Sequence, residues 1–257
     1  MEKLLGDTIM PNQDPNGGFE VPKDALSDEN KADWERGGLP ELITKNDYSR
    51  PRNKVVCWDI ETYKWEKKSL LIESMVEKAT ANYVKPDTIE KHKNETLEKL
   101  ALSPFTGQII LSGFYNGDKF FHYQGDEKDI IKGTLDELVK VLLAGYKLVT
   151  KGGKRFDLPY LLTRAAIHNI APDFPYEYNH LFHPYRNNYH VDLESVFPKM
   201  NLGSIAYTMG LADVPGNKGS EIAGMYESGD MKSIIEKNKE DLIQSYEIYR
   251  RIKWVNL

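Results

Sequence analysis

Lys54-Val55-Val56-Cys57-Trp58-Asp59-Ile60-Glu61-Thr62 is the stretch on which the fold turns. Val55 to Trp58 is a short, apolar, β-prone run of the kind that forms a buried strand. It ends in two acids, Asp59 and Glu61, spaced two apart. Side chains at i and i+2 of a strand share one face, about 6.6 Å apart along it. Two carboxylates facing one way at the end of an apolar strand repel each other and lose hydration, and a bound divalent cation relieves both costs. The plain alternative is a solvated strand end with two ordinary surface acids, which a D-x-E pair taken alone favours.

Working outward, residues 67–102 read as helical with a break near Lys85-Pro86, and Asp87 is placed to cap the second helix. Gln108 to Tyr115 and Lys119 to Gln124 read as strands, with Asn116-Gly117 between them as a type I′ hairpin signal. Thr134 and Glu137 form a capping-box pattern ahead of Leu138, Val141 and Leu142. A short strand follows over Lys147 to Thr150, then the loop Lys151-Gly152-Gly153-Lys154-Arg155, then a helix from about Leu158 to His168 with Pro159 in its first turn. Tyr189 to Leu193 reads as a strand, and helices follow over about 201–209, 219–228 and 230–253, the last capped by Asp230. Strand, hairpin, helix, strand and helices in this order predict an α/β fold with a mixed sheet. Residues 1–50 are rich in Pro and Gly and hold no helical or strand period, so a loosely ordered arm is expected there, with the folded domain over 51–257.

The 257 residues are 40% hydrophobic and 28% charged, enough apolar material for a core without disulfides. The single cysteine, Cys57, excludes a disulfide scaffold and a Cys-rich zinc module, and fits a reducing, cytoplasmic setting. No apolar run is long enough to span a membrane, and the N-terminus lacks the basic start and apolar stretch of a signal peptide. With 34 Lys and Arg against 39 Asp and Glu, the net charge of −5 excludes binding nucleic acid by a bulk basic coat. One local groove remains open to it.

Two further acids stand out. Asp157, in Phe156-Asp157-Leu158-Pro159-Tyr160-Leu161, begins a helix, where a plain N-cap is the ordinary reading. Asp241, in Lys239-Glu240-Asp241-Leu242-Ile243-Gln244-Ser245-Tyr246, lies within the long last helix, where an acid is usually solvated. Order and context give these acids more weight than each has singly. Trp58-Asp59-Ile60-Glu61-Thr62, the Asp157 stretch and the Asp241 stretch resemble, in that order, the three motifs of the DEDD 3′–5′ exonuclease superfamily, which has a ribonuclease H-like fold. The chain is most similar to predicted phage and bacterial exonucleases related to the proofreading domain of family B DNA polymerases. His190-Val191-Asp192-Leu193 and Leu202 to Gly210 resemble the intervening strand and helix, so the likeness covers about residues 54–254.

The resemblance implies that Asp59, Glu61, Asp157 and Asp241 hold two Mg²⁺ or Mn²⁺ ions about 3.5–4 Å apart. It implies hydrolysis of phosphodiester bonds at the 3′ end of single-stranded or frayed DNA, with one ion activating water and the other stabilising the leaving 3′ oxygen. RNA is a second substrate class that the superfamily uses, a catalytically weak binding module is the alternative role, and replication or recombination proteins are candidate partners. No membrane is expected as a partner.

Two positions depart from the superfamily pattern. A Tyr four residues, or a His five residues, usually precedes the last Asp, whereas Lys237 and Glu236 stand there. Lys237 lies one turn before Asp241 on the same helix face. It either orients the attacking water or the scissile phosphate, or makes an i,i+4 salt bridge. Gly152 stands where the family often carries Asn. For substrate contact the candidates are Thr62 beside the acids, Gly153 for close backbone approach, Lys154 and Arg155 for phosphate, and Phe156 for stacking on a base. A solvated basic loop and a core Phe156 remain open alternatives. The aromatic set Tyr176, Tyr178, Phe182, Tyr185 and Tyr189 beside Arg186 and Lys199 suits either a single strand or packing on the sheet. His180, His183 and His190 lack a cysteine companion for zinc, and Asp192 is expected to be structural. The segment 67–102 is a solvated helical face or a flap over the acids.

Overall fold

The computed structural model describes residues 54–65, 69–171, 181, 189–213 and 221–253. The expected arm over 1–50 lies outside the described residues, as do Tyr176, Tyr178, His180, Phe182, His183, Tyr185 and Arg186.

The apolar run that opens the domain becomes the central strand, β1 (Val55–Lys64), of a five-stranded sheet. On one side β1 pairs antiparallel with β2 (Gly107–Tyr115), which pairs antiparallel with β3 (Phe120–Gln124). On the other side it runs parallel to β4 (Lys147–Thr150), and β4 runs parallel to β5 (His190–Asp192). The order is β3-β2-β1-β4-β5, the mixed α/β sheet expected of a ribonuclease H-like fold.

Both faces of β1 are covered, which is why its first residues are apolar without alternation. Val56, Trp58 and Ile60 face a core built with Ile130, Ile131, Leu135 and Leu138 of α3 (Glu127–Leu143) and with Leu158 and Leu161 of α4 (Asp157–Ile167). Val55 and Cys57 face the other core, with Ile205 of α5 (Leu202–Thr208) and Leu242 and Ile248 of α7 (Met231–Ile252). Asp59 and Glu61 continue the parity of Val55 and Cys57, so the strand's own pleat aims them toward α7. Two helices, α1 (Ser69–Thr80) and α2 (Pro86–Leu100), fill the connection from β1 to β2, and α6 (Glu221–Glu227) precedes α7.

Several local expectations are corrected. The strand does not stop at the acids: it runs to Lys64, pairing Asp59 with Gly113 and Glu61 with Leu111 before the register shifts between Glu61 and Thr62. Such an irregularity re-aims side chains where a site is built. Thr134 and Glu137 do not open a helix. Asp126 caps α3 by accepting from Lys128 N, Thr134 Oγ1 donates back to Ile130 O, and Glu137 is buried with Tyr123 Oη as a donor. Asp87 is not the cap of α2, because Lys85 holds that position and Pro86 starts the helix. At the hairpin only Gly117 has positive φ, +96°, and Asn116 Oδ1 accepts from Asp118 N and Lys119 N. An Asx-type turn therefore replaces the type I′ turn. Asp230 does cap α7, accepting from Ser233 N at 3.1 Å.

A buried ion pair fastens the base of the inserted helices. Arg164 of α4, fully buried, donates through Nε to Glu127 Oε1 at 2.8 Å and through Nη2 to Glu127 Oε2 at 2.5 Å. Its Nη1 donates to Pro104 O, just after α2, and its guanidinium stacks on Trp65, just after β1, at 4.2 Å. Glu127 also accepts from Ile109 N on β2 at 2.7 Å. Both charges are thus satisfied, as buried charges must be.

Candidate active site

Three elements bring the four predicted acids together. Strand β1 supplies Asp59 and Glu61, the first turn of α4 supplies Asp157, and the middle of α7 supplies Asp241. Asp157 is not used as an N-cap: Phe156 takes that position, and Asp157 Oδ1 instead accepts from Ile60 N of β1 at 3.3 Å. Asp59 and Asp157 stand close enough that each acts on the other's ionisation. Asp241 lines one cleft with Asp59, Trp58, Lys151, Leu202 and Ser245. The acid from the last helix therefore stands with the others and does not point away into bulk water.

The electrostatics of this cluster are unfavourable for four negative charges. Burial, followed by the charges of Asp157, Glu61 and Asp241, pushes the Asp59 carboxyl well above the usual carboxylate range. Burial pushes Glu61 up to about 7, against the opposing pull of Lys237 and of a hydrogen bond from Asn238. Burial likewise pushes Asp157 up to about 7, in spite of the Ile60 N–H and the effect of Asp59. Desolvation and like charge are the two ordinary reasons for such shifts, and both act here.

Lys237 answers part of that charge. Its Nζ lies 2.9 Å from Asp241 Oδ2, so the expected i,i+4 salt bridge is present. Burial disfavours the ammonium, but Asp241, Glu61 and Asp59 outweigh it and raise its pKa above that of a free lysine. A lysine held charged in this way donates hydrogen bonds and is not a base.

The second motif is shaped by Asp192 and His190. Asp192 Oδ1 accepts from Gly152 N at 2.6 Å and Glu194 N at 2.9 Å, and Oδ2 accepts from Lys154 N at 3.0 Å, so its work is structural as expected. His190 is buried and its pKa is lowered by burial to about 4, which keeps the ring neutral. It bonds Thr150 Oγ1 through Nε2 at 2.8 Å and Leu181 O through Nδ1 at 3.1 Å. Both ring nitrogens are occupied by protein, which argues against the zinc reading for this histidine. Gly152 has φ +84°, the left-handed region that favours glycine, so a side chain in its place would strain the backbone although the space beside its Cα is open.

The other sequence candidates land unevenly. Gly153 is buried, and a Cβ there would strike the Thr150 side chain at 2.5 Å. The close approach it permits is to its own chain. Thr62 lies next to Tyr160, whose Oη donates to Ala101 O at 2.9 Å. Lys154 is partly buried, with its pKa lowered by burial, while Arg155 is exposed. Phe156 packs against the core beside Tyr160, ring centroids 5.3 Å apart, as the plain alternative had it. Tyr189 packs on that same core.

Three residues near the acids were not singled out from the sequence. Lys151 and Ser245 line the cleft. Asn238 is fully buried and donates through Nδ2 to Asp59 Oδ2 at 3.0 Å and Glu61 Oε1 at 3.4 Å. It stands about one turn before Asp241, but among charged neighbours that read as a solvated face, so its own position carried no signal.

Among the described residues, no group of three or more His, Cys, Asp and Glu side chains is arranged to hold an ion as it stands. Donor type and charge nevertheless fit a hard divalent cation: the ligands offered are all carboxyl oxygens, and the four acids, once ionised, would carry more negative charge than Lys237 offsets.

A mixed sheet with one acid-bearing central strand, flanked by helices that bring two further acids to it, is a ribonuclease H-like arrangement. The chain belongs to the family of predicted 3′–5′ exonucleases related to the exonuclease domain of PolB, whose model matches residues 117–256. The match contains Asp157, Lys237, Asn238 and Asp241, while Asp59 and Glu61 precede it on β1. Among solved structures, the family B DNA polymerase of the hyperthermophilic archaeon Pyrobaculum calidifontis is similar with a TM-score of 0.54 at 13% identity. The likeness covers 77% of this chain and 24% of that polymerase, and it bears on the fold. No curated protein matches the sequence.

Proposed function

We propose that the protein is a metal-dependent 3′–5′ exonuclease that hydrolyses terminal phosphodiester bonds of single-stranded or frayed DNA by a two-metal-ion route. The observation that carries this reading is the convergence of Asp59, Glu61, Asp157 and Asp241, with the pKa values of the first three driven upward by burial and by neighbouring acids. A fold seldom gathers buried like charges without a use for them. Asp59 and Asp157, which act on each other's ionisation, would hold an ion between the strand and α4. Glu61 and Asp241 would complete the set from β1 and α7. When bound, two divalent ions supply an activated water and positive charge for the leaving 3′ oxygen.

The chain's own residues do the rest. The Lys237 ammonium donates to the phosphate or to the attacking water, in the place where the superfamily carries Tyr or His. Lys154 and Arg155, beyond the cleft, would neutralise backbone phosphates of the strand, with Lys151 joining them on release from its ion pair with Glu194. DNA is preferred over RNA by family likeness alone, since no described residue checks the 2′ position. The Lys237–Asp241 ion pair favours one second reading, a module that grips 3′ ends and cleaves weakly, because a lysine there already offsets one acid.

A labelled single strand incubated with Mg²⁺ or Mn²⁺ tests the proposal. Stepwise loss of nucleotides from the 3′ end, absent in Asp59→Ala and Asp157→Ala, is expected. Binding without cleavage in either metal would replace the enzyme with the module.

A further inference from the structure

We infer that Asn238 is a positioning residue of the metal site, a two-toothed clamp that sets the relative placement of Asp59 and Glu61. The inference rests on the exonuclease reading and deepens it. A strand fixes the backbones of residues i and i+2, but leaves their carboxylates free to rotate apart. Like charge drives them apart. One amide nitrogen carries two hydrogens, and Asn238 Nδ2 spends one on Asp59 Oδ2 at 3.0 Å and the other on Glu61 Oε1 at 3.4 Å. The two acids are thereby tied to a single atom on α7, the helix that supplies Asp241 three residues later.

With Asp59 and Glu61 ionised, as metal ligands must be, the amide cannot be turned round, because a flipped side chain would set its oxygen against two carboxylates. In the observed sense Asn238 Oδ1 has no hydrogen-bond partner among the described residues, although the side chain is fully buried. A buried oxygen left without a partner carries its desolvation cost uncompensated. The fold accepts this cost at the residue that touches both strand acids.

The opposite strand is shaped to admit the clamp. Gly113 pairs with Asp59 across β1 and β2, and a Cβ on it would lie 1.8 Å from Asn238 Oδ1 and 3.0 Å from Leu242 Cδ1. A glycine inside a strand marks close approach by another part of the chain. Here the approaching group is the amide that holds the acids.

Groups that orient metal ligands typically change metal affinity about 10–100-fold when removed. The test is Mn²⁺ binding by calorimetry to the wild type, Asn238→Leu, Asn238→Ala and Asp59→Ala, with circular dichroism and unfolding temperature measured without metal. The expected result is a Kd weakened about 10–100-fold in the Leu variant, which keeps the shape and loses both donors. The Ala variant should be weakened likewise, in proteins that remain folded. A purely structural Asn238 would change the unfolding temperature and leave Kd alone, which overturns the inference. Mg²⁺ titration of the wild type followed through the Asn238 side-chain amide protons needs no variant. Those signals move if the amide touches the ligands, and stationary signals with Mg²⁺ bound refute the clamp. If the wild type takes up no Mn²⁺, and so matches Asp59→Ala, the exonuclease reading falls and the inference falls with it. Metal uptake that is unchanged in both Asn238 variants sinks the clamp alone.

Discussion

Replacing Asp157 with Asn should make the protein more stable and inactive at once. Asp157 is buried, and its carboxyl is carried from an ordinary 3.8 to about 7 by burial. A group whose folded pKa is raised costs nothing below its unfolded value, because both states are then protonated. Its cost grows as pH rises from about 4 to about 7 and is constant above that. Ionised at pH 8, it costs at most about 4 kcal/mol, taking about 1.4 kcal/mol per factor of ten. Part of this belongs jointly to Asp59, so about 2–4 kcal/mol is the expected gain on neutralisation. For a domain of this size the gain raises the unfolding temperature by about 5–10 °C. Asn is nearly isosteric. Its oxygen can still accept from Ile60 N, and its amide nitrogen can donate to Asp59. Thermal unfolding in EDTA across pH 4 to pH 8 measures the difference. Variant and wild type should coincide near pH 4 and separate toward pH 8, with 3′ cleavage in Mg²⁺ absent from the variant throughout. An Asp157→Asn protein less stable than wild type at pH 8, or a gap that does not change with pH, would refute the reasoning that the cluster is held together against its own charge.

Other outcomes follow from the same contacts. Divalent metal should stabilise the wild type by about 2.7 kcal/mol when present at a hundred times its Kd. That gain should fade below about pH 7 as Glu61 and Asp157 take up protons, a trend that unfolding scans with and without Mn²⁺ will show. Arg164→Met leaves Glu127 buried without its guanidinium and should cost about 3–5 kcal/mol in urea unfolding, with metal affinity unchanged. A loss under about 1 kcal/mol would show that Ile109 N and His168 satisfy Glu127 unaided. Gly113→Ala sets a methyl group into Asn238 Oδ1 and should cost about 1–3 kcal/mol. Combining it with Asn238→Ala should restore part of that stability but not metal binding, and strict additivity of the two changes would deny the contact.

How much of this was legible beforehand depends on the kind of signal. The apolar run from Val55 to Trp58 announced a strand covered on both faces because burial on both sides leaves no alternation, and the parity of Asp59 and Glu61 with Cys57 followed from the pleat. Where that strand ends was not legible, since Thr62 and Tyr63 continue it only by pairing with β2, a tertiary fact. Thr134 and Glu137 matched a capping pattern, yet Asp126 lay eight residues earlier with the better cap, and a helix that starts sooner absorbs the later signal. Asp157 looked like a cap because helix starts favour acids. Only the approach of β1 shows its oxygen turned to Ile60 N. Asn238 was illegible for a stronger reason. Its neighbours Lys237, Lys239 and Glu240 read as a solvated face, and a lone polar residue among charges carries no sign of burial. The sign lay 125 positions earlier, in a glycine interrupting the apolar run Ile109 to Tyr115, where a strand former would otherwise be favoured. Neither residue is informative alone. Gly113 is small because Asn238 is there, and Asn238 is buried because Asp59, opposite Gly113, and Glu61, opposite Leu111, take its hydrogens, so the pair becomes readable only when β2 and α7 meet across β1.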